Sequence, residues 1–331
     1  MPISRSQLTI LTILADGRFH SGTELAEALK ISRTAVWKQV NSLSVLGLNH
    51  FAVSGKGYCL ERPLELLDKS NILENINTHG RSLIGNFDIF DCIASTNGYL
   101  AEQAKQNGIS GSICLAEQQT AGKGRRGRQW VSPFGSNIYL SILWRFQVSP
   151  LAISGLSLII GIAVIRSLKS EYHKDFQLKW PNDIYFGDKK LGGILVEVSG
   201  EAEGPCTAVI GLGLNLYLSA ANAEPITQKW TDLSKITGDN QLKRNRLAGV
   251  LLEQLLTIIA VFEHNGFTAY VDEWRSYDCL KDKVATLYIG QHSYTGTVQG
   301  INDQGLLMMA MPDGSTQAFA SGEVSFSGSV G

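Results

Sequence analysis

The residues that could do chemistry fall in four short segments. The longest is Glu117-Gln118-Gln119-Thr120-Ala121-Gly122-Lys123-Gly124-Arg125-Arg126-Gly127-Arg128-Gln129-Trp130, with four cations among residues 122–128, spaced by glycines. Glycine lets the backbone approach a ligand closely, and crowded cations repel one another unless an anion lies between them. The segment is therefore read as a loop that orders around phosphate or carboxylate, against the plainer reading of a solvated basic loop. Gly122, Gly124 and Gly127 formally satisfy GxGxxG. A dinucleotide turn, however, needs a helix behind its glycines, and the strand-like Asn137–Trp144 follows instead. The second segment is Lys179-Trp180-Pro181-Asn182-Asp183, followed seven residues later by Lys190 in KLGGILVE. Taken alone it is a strand, a turn and a strand with a solvated lysine. In the third, Gly211-Leu212-Gly213-Leu214-Asn215, the glycines of an apolar strand let a ligand or a neighbouring backbone come close. The fourth, Ser95-Thr96-Asn97, opens a helix that runs to about Gln106; such caps are common, and an exposed helix start also suits a carboxylate or carbonyl ligand.

Other chemistries lose support. The chain has no G-x-x-x-x-G-K-[ST], no HExxH and no G-x-S-x-G, and its six histidines are scattered. The five cysteines are far apart and never form CxxC, which argues against a disulfide framework or zinc cage and for a reducing cytoplasm. No protein metal site is expected.

The elements that must position these segments can be read from periodicity. With 331 residues, 44% hydrophobic and 18% charged, the composition is that of a globular chain of two or three domains. The longest apolar stretch, Leu151–Ile165, contains two serines and two glycines and reads as a buried helix, not a membrane span. From about 80 to 275, expected strands are Asn86–Asp91, Ser112–Glu117, Asn137–Trp144, Gln177–Trp180, Leu191–Val198 and Ala208–Leu214, with helices over 151–168 and 242–263. Several strands follow one another without a helix, which predicts a mixed sheet. Beyond 280, short strands at Val284–Ile289, Ser293–Gly300, Leu306–Ala310 and Thr316–Ala320 predict a small β-barrel of SH3-like size.

The first 62 residues differ in charge. They carry seven Lys/Arg against four acids, a head of +3 on a body of −4. Helices are expected over 6–15 and 22–29, and a third after the N-cap Ser32, whose Val36, Val40 and Leu43 form a buried stripe. That leaves Arg33, Thr34, Trp37, Lys38 and Asn41 on the outer face. The hairpin Phe51–Leu60 presents Lys56 at a Gly-Lys-Gly tip. Helix, turn, basic-faced helix and hairpin together make a winged helix-turn-helix, for which DNA is the favoured partner; a helical protein-interaction domain is the alternative.

In combination, the GKGRRGRQW loop, KWPND with its following KLGGILVE, GLGLN and STN resemble the biotin–protein ligases, in that family's order. The head and the C-terminal barrel are similar to those of the bifunctional bacterial form, which is also the biotin-operon repressor. The resemblance covers nearly the whole chain. It departs at Lys123, where the family loop usually has arginine, so the planar fork is lost there while the charge is kept.

The resemblance implies an α+β multidomain chain: a winged helix-turn-helix over 1–64, a mixed-sheet biotin/ATP-binding catalytic domain over 65–275 and an SH3-like domain over 276–331. It implies ATP-dependent activation of biotin to biotinyl-5′-AMP with Mg²⁺, then transfer to a lysine of the biotin carboxyl carrier protein of acetyl-CoA carboxylase. Ser95, Thr96, Asn97, Gln119, Lys123, Gly124, Arg125 and Lys190 fall at biotin positions, and Trp130, Asn182 and Asn215 at nucleotide positions. Lys190, Arg125 and Asp183 are the implied catalytic set. As a repressor, the protein would bind operator DNA through Arg33, Thr34, Trp37, Lys38, Asn41 and Lys56, as a homodimer promoted by biotinyl-5′-AMP. A lipoate–protein ligase-like enzyme and a ligand-sensing repressor without catalysis are the alternatives.

Overall fold

A computed structural model describes residues 3–326. The extreme ends of the first and third expected domains therefore lie outside the described residues.

The head is three helices and a hairpin. Helices α1 (Arg5–Leu14), α2 (Gly22–Leu29) and α3 (Arg33–Ser42) each start at a serine, Ser4, Ser21 and Ser32, whose hydroxyl accepts from a first-turn N–H. Helix α2 stops at Lys30, which adopts left-handed backbone at φ 54° and turns the chain into α3. Ile10, Leu11, Leu14, Leu25, Val36, Val40 and Leu43 are wholly buried, so the stripe expected on α3 is its inner face. Strands β1 (His50–Val53) and β2 (Gly57–Leu60) form the wing and pair antiparallel. The wing is fastened to the helices by reciprocal backbone bonds between His20 and Tyr58.

The central domain opens with α4 (Lys69–Glu74) and α5 (Thr78–Ser82) and is built on a seven-stranded sheet. Its elements are β3 (Phe87–Phe90), α6 (Thr96–Lys105), β4 (Ser112–Ala116), β5 (Ile138–Phe146), α7 (Leu156–Tyr172), β6 (Gln177–Lys179), β7 (Asp183–Phe186), β8 (Lys189–Gly200) and β9 (Cys206–Leu214). The strand order is β3-β4-β5-β9-β8-β7-β6; β3 and β4, joined through α6, are parallel and the other pairs antiparallel. This is the mixed sheet the sequence predicts. Short helices α8 (Ala220–Ala223) and α9 (Leu233–Thr237) lead to α10 (Arg244–Asn265) and α11 (Val271–Tyr277). Helices α7 and α10 bury long apolar faces in the main core, whereas Leu100 of α6 joins Cys114, Leu143 and Val209 in a separate small cluster. The apolar stretch from Leu151 is not helical from its start: Gly155, at φ 90°, sets the N-cap of α7, and the helix begins at Leu156. Among the described residues, α10 is long and apolar enough to cross a membrane, but Leu247, Leu251, Leu255 and Ile259 bury it in this core.

The C-terminal sheet has the order β13-β12-β11-β10-β14, with β10 (Val284–Ile289), β11 (His292–Ile301), β12 (Leu307–Ala310), β13 (Thr316–Phe319) and β14 (Glu323–Phe326), all antiparallel. Sequence periodicity marks four of these strands and misses β14. Its interior, including Leu287, Val298 and Met309, is continuous with the ligase core. The head, in contrast, has its own core, closed from outside it by Phe134, wholly buried in the head's cluster, and by the partly buried Leu66.

Candidate functional site

Three of the four segments singled out by sequence meet in one cleft of about 1040 Å³ including its mouth, together with the strand glycines Gly211 and Gly213 of the remaining one. Its floor is the sheet. Ser95 caps α6 through the Gly98 N–H, which presents Thr96 and Asn97 at the cleft as buried polar groups. Gln119 Oε1 accepts from the Thr96 backbone N–H at 2.9 Å and its Nε2 donates to Ser132 at 3.1 Å. Asn97 Nδ2 donates to Glu197 at 2.8 Å, and its Oδ1 accepts from the Ser141 hydroxyl at 2.6 Å. Each of these groups is therefore held in one orientation before any ligand enters.

The strand glycines are there for side chains. A Cβ on Gly213 would lie 2.5 Å from the Trp130 indole, and one on Gly211 would overlap the Asn97 amide. The close neighbours expected at this strand are thus Trp130 and Asn97, which both line the cleft. Trp130 Nε1 is buried without a partner, and the Lys190 ammonium lies 5.6 Å from the indole ring.

Lys190 and Asp183 face each other across the β7–β8 hairpin, Nζ to Oδ1 at 2.8 Å, both largely buried. The interval between them in sequence is this hairpin, with a register shift between Ile184 and Tyr185. Asn182 is anchored to the Ile194 carbonyl at 2.7 Å and accepts from Arg125 at 3.1 Å, so the cationic loop is tied to the KWPND turn. Burial lowers the pKa of Arg125, offset by the charge of Asp183. Lys123 and Gly124 complete the loop's part of the lining. Asn215 stands apart: it is buried beyond the end of β9 and donates to the Thr231 carbonyl at 3.1 Å, outside the lining.

Sequence reasoning leaves several lining residues unmarked. Lys179 sits in KWPND itself; burial lowers its pKa, and its ammonium lies 3.3 Å from the Tyr185 hydroxyl. Gly322, Glu323 and Val324 arrive from the C-terminal domain, where Glu323 forms an ion pair with Arg128, and Arg126 donates to the Tyr288 carbonyl. No local pattern signals a partner almost two hundred residues distant. Among the described residues no group of three or more His, Cys, Asp or Glu could hold a metal on its own.

On the head, Arg33, Thr34, Trp37, Lys38 and Lys56 are exposed and Asn41 is half-buried. Trp37 is 54% exposed, and Lys56 sits over the Phe19 ring at the wing. None of Arg33, Lys38 and Lys56 has an ion-pair partner among the described residues.

Comparison with known proteins follows the same division. Residues 6–59 match an HTH domain, 89–215 the Biotin/lipoate A/B protein ligase family, and 284–327 the Biotin protein ligase C terminal domain. The chain is 39% identical over 318 residues to the bifunctional ligase/repressor BirA of Salmonella typhimurium and 38% identical to that of Escherichia coli, each alignment covering 96% of both chains. Among solved structures it is similar to the biotin protein ligase from Aquifex aeolicus in complex with biotin and ATP, at 27% identity and a TM-score of 0.63, covering 73% of this chain and 98% of that one.

Proposed function

This chain belongs to the bifunctional biotin ligase/repressor family, and from that premise we propose that it activates biotin with ATP, transfers it to a carrier-protein lysine, and represses transcription from operator DNA. The observation that carries the enzymatic reading is the convergence of the Gly122–Arg128 loop, Lys190 and the Ser95–Asn97 helix start on one cleft with Trp130.

In this reading the ureido ring of biotin lies at Ser95, Thr96, Asn97 and Gln119, where both donors and acceptors are already oriented. A biotin carboxylate oxygen attacks the α-phosphorus of ATP; the new C–O–P linkage forms as the bond to the departing pyrophosphate breaks. Two anions must approach each other, so Lys190 and Arg125 offset their repulsion and stabilise the charge that builds on the α-phosphate. Trp130 packs by the adenine, while Lys123 and Gly124 close over the acyl-adenylate, which water would otherwise hydrolyse. The carrier lysine then attacks the acyl carbon and AMP leaves. Asp183 orients that lysine or accepts its proton once Lys190 is drawn to the phosphate. Asn182 steadies Arg125, and Asn215 supports the end of β9 near the nucleotide. Asp183 would be the protein ligand to a Mg²⁺ ion arriving with ATP, since no group of three or more His, Cys, Asp or Glu among the described residues could hold one alone. When bound, such an ion neutralises phosphate charge.

The acceptor is proposed to be the biotin carboxyl carrier protein of acetyl-CoA carboxylase. Operator DNA is read by Arg33, Thr34, Trp37, Lys38, Asn41 and Lys56. A single head reads one half-site, so a homodimer is required on a two-fold operator, and ordering of the cationic loop around biotinyl-5′-AMP promotes it. We assign residues 1–64 to DNA binding, 65–275 to catalysis and 276–331 to closing the cleft, and place the protein in the cytoplasm, which its free thiols favour.

Biotin-dependent ATP–pyrophosphate exchange tests the enzymatic reading: exchange with biotin and not lipoate is expected. Exchange with lipoate instead would favour a lipoate ligase-like enzyme, and binding without exchange a ligand-sensing repressor. Sedimentation with and without biotin plus ATP tests the dimer.

A further inference from the structure

The polar end of the ligand cleft carries protons whose directions the surrounding groups fix, and two of the residues that fix them lie outside its lining. The first is Ser141 on β5, wholly buried against the start of α6. The second is Glu197 on β8, which is exposed.

Asn97 can hold only one of its two amide orientations. Its Nδ2 faces two acceptors, the Glu197 carboxylate at 2.8 Å and the Leu195 carbonyl at 3.3 Å, and gives one proton to each. A flipped amide would set its oxygen against those acceptors. Oδ1 therefore faces Ser141 at 2.6 Å, and an amide oxygen has no proton, so the Ser141 hydroxyl must donate. Ser141 has no second proton. Its 2.7 Å contact with the Thr96 hydroxyl is then made by the Thr96 proton. Were Thr96 to donate instead to Gln119 Oε1, 3.1 Å away, that proton would still be used within the protein. Thr96 and Asn97 thus offer a ligand lone pairs only. Their neighbours offer the reverse. Gln119 Oε1 is fixed by the Thr96 backbone N–H at 2.9 Å, so Nε2 faces Ser132, whose own proton goes to the Trp130 carbonyl at 3.0 Å. One Nε2 proton remains for a ligand. Ser95 accepts from the Gly98 N–H at 3.3 Å, and no acceptor among the described residues takes its hydroxyl proton.

Two acceptors beside two donors complement a ring in which a carbonyl is flanked by N–H groups. We infer that Ser141 and Glu197 are specificity-determining positioning residues: by fixing the proton directions at Thr96 and Asn97, they make this end of the cleft take a cyclic urea and refuse a ring without N–H groups. The inference rests on the placement of the ureido ring proposed above and adds the two residues that set the polarity around it. A ligand without N–H groups would leave two acceptors desolvated and unpaired, which costs more than a missing contact. A dithiolane ring, such as that of lipoate, is a ligand of this kind.

The test is biotin-dependent ATP–pyrophosphate exchange in the full-length protein, with dethiobiotin, which keeps the urea but lacks the thioether ring, as competitor. Ser141→Ala is expected to raise the KM for biotin about tenfold, the scale of one buried hydrogen bond left unmade. The inhibition constant of dethiobiotin should rise by the same factor, while kcat and the KM for ATP stay near those of the parent. Glu197→Met, at an exposed position that does not endanger the fold, should raise both constants in the same way by a smaller factor. Glu197→Gln, whose amide oxygen can still accept from Asn97, should restore most of the affinity. A merely structural role would move kcat and the KM for ATP as well, and would not separate Gln from Met. Should Ser141→Ala fail to fold, the order of the two Glu197 variants decides. An unchanged KM for biotin in both Ser141→Ala and Glu197→Met, or a rise for biotin without one for dethiobiotin, would overturn the inference. Absence of exchange in the parent would instead overturn the ligase reading on which it rests.

Discussion

The head and the ligase cleft are both rich in cations but keep them differently. On α3 and the wing, Arg33, Lys38 and Lys56 stand in solvent without ion-pair partners among the described residues, on a helix whose opposite face is buried. In the cleft, Lys190 is paired with Asp183, Arg125 with Asn182 and Arg128 with Glu323. A surface that must meet a long polyanion gains from unpaired, mobile charge, because each phosphate contact releases counterions. A pocket that must bring two anions together gains from charges held close to where they act, so that only a small reorganisation accompanies the reaction. The same residue types thus work by opposite arrangements within one chain.

The contrast breaks most sharply at Lys190. Lys190→Ala should lower biotin-dependent pyrophosphate exchange about a hundredfold or more, the scale of losing a positioned charge in a water-poor site, while the protein stays folded. Near-normal exchange would mean that Lys179 or Arg125 carries the charge instead.

Gly213→Ala tests whether the cleft is set by packing as firmly as by charge. Its Cβ would lie 2.5 Å from the Trp130 indole, so either the indole or the strand must shift. A stability loss of about 1–3 kcal/mol in urea melts is expected, with a raised KM for ATP. An unchanged KM would separate Trp130 from the nucleotide.

The seam between the ligase sheet and the C-terminal domain supplies a pH test. Asp278 has a buried oxygen without a partner, and burial raises its pKa from 3.8 to about 6. The folded protein therefore holds a proton that the unfolded chain gives up, and stability from this residue falls as pH rises from 4 through 6. Asp278→Asn should add about 3 kcal/mol above that window, with the gain vanishing below pH 4. Parallel urea melts across this range would show it; a gain independent of pH would assign the effect to something other than ionisation.

The smallest effect belongs to the head. Lys38→Ala should weaken binding to all DNA sequences and lower the slope of log affinity against log salt by about one unit. Arg33→Ala or Asn41→Ala should instead relax preference at particular base pairs, readable in a binding-site selection. Footprints indifferent to all three would move the DNA contact off this face.

The head was the more legible region because its logic is local. Val36, Val40 and Leu43 mark the buried stripe within one helix, Ser32 marks its start, and what remains is the outer face. In the ligase domain the strands were legible as apolar runs, but β7 was hidden inside what reads as the turn after Pro181, because four residues are too few to show a period. The loop announced itself through crowded charge, whereas Lys190, a solvated lysine when taken alone, was marked only by the family resemblance. Ser141, Glu197 and Glu323 did not, since each gains its meaning from a contact with a distant segment. The strand glycines were legible as places of close approach, though what approaches is Trp130 and Asn97.

Phe134 lies four residues past Trp130, yet its ring completes the core of the head. The consequence is one of modularity. Cutting the chain near residue 64 would not release a finished enzyme from a finished reader. It would strip the cover from Phe134 and leave an oily spot directly downstream of the ligand loop, on a fragment inclined to self-associate. The two halves of this protein share too much packing to be treated as interchangeable cassettes.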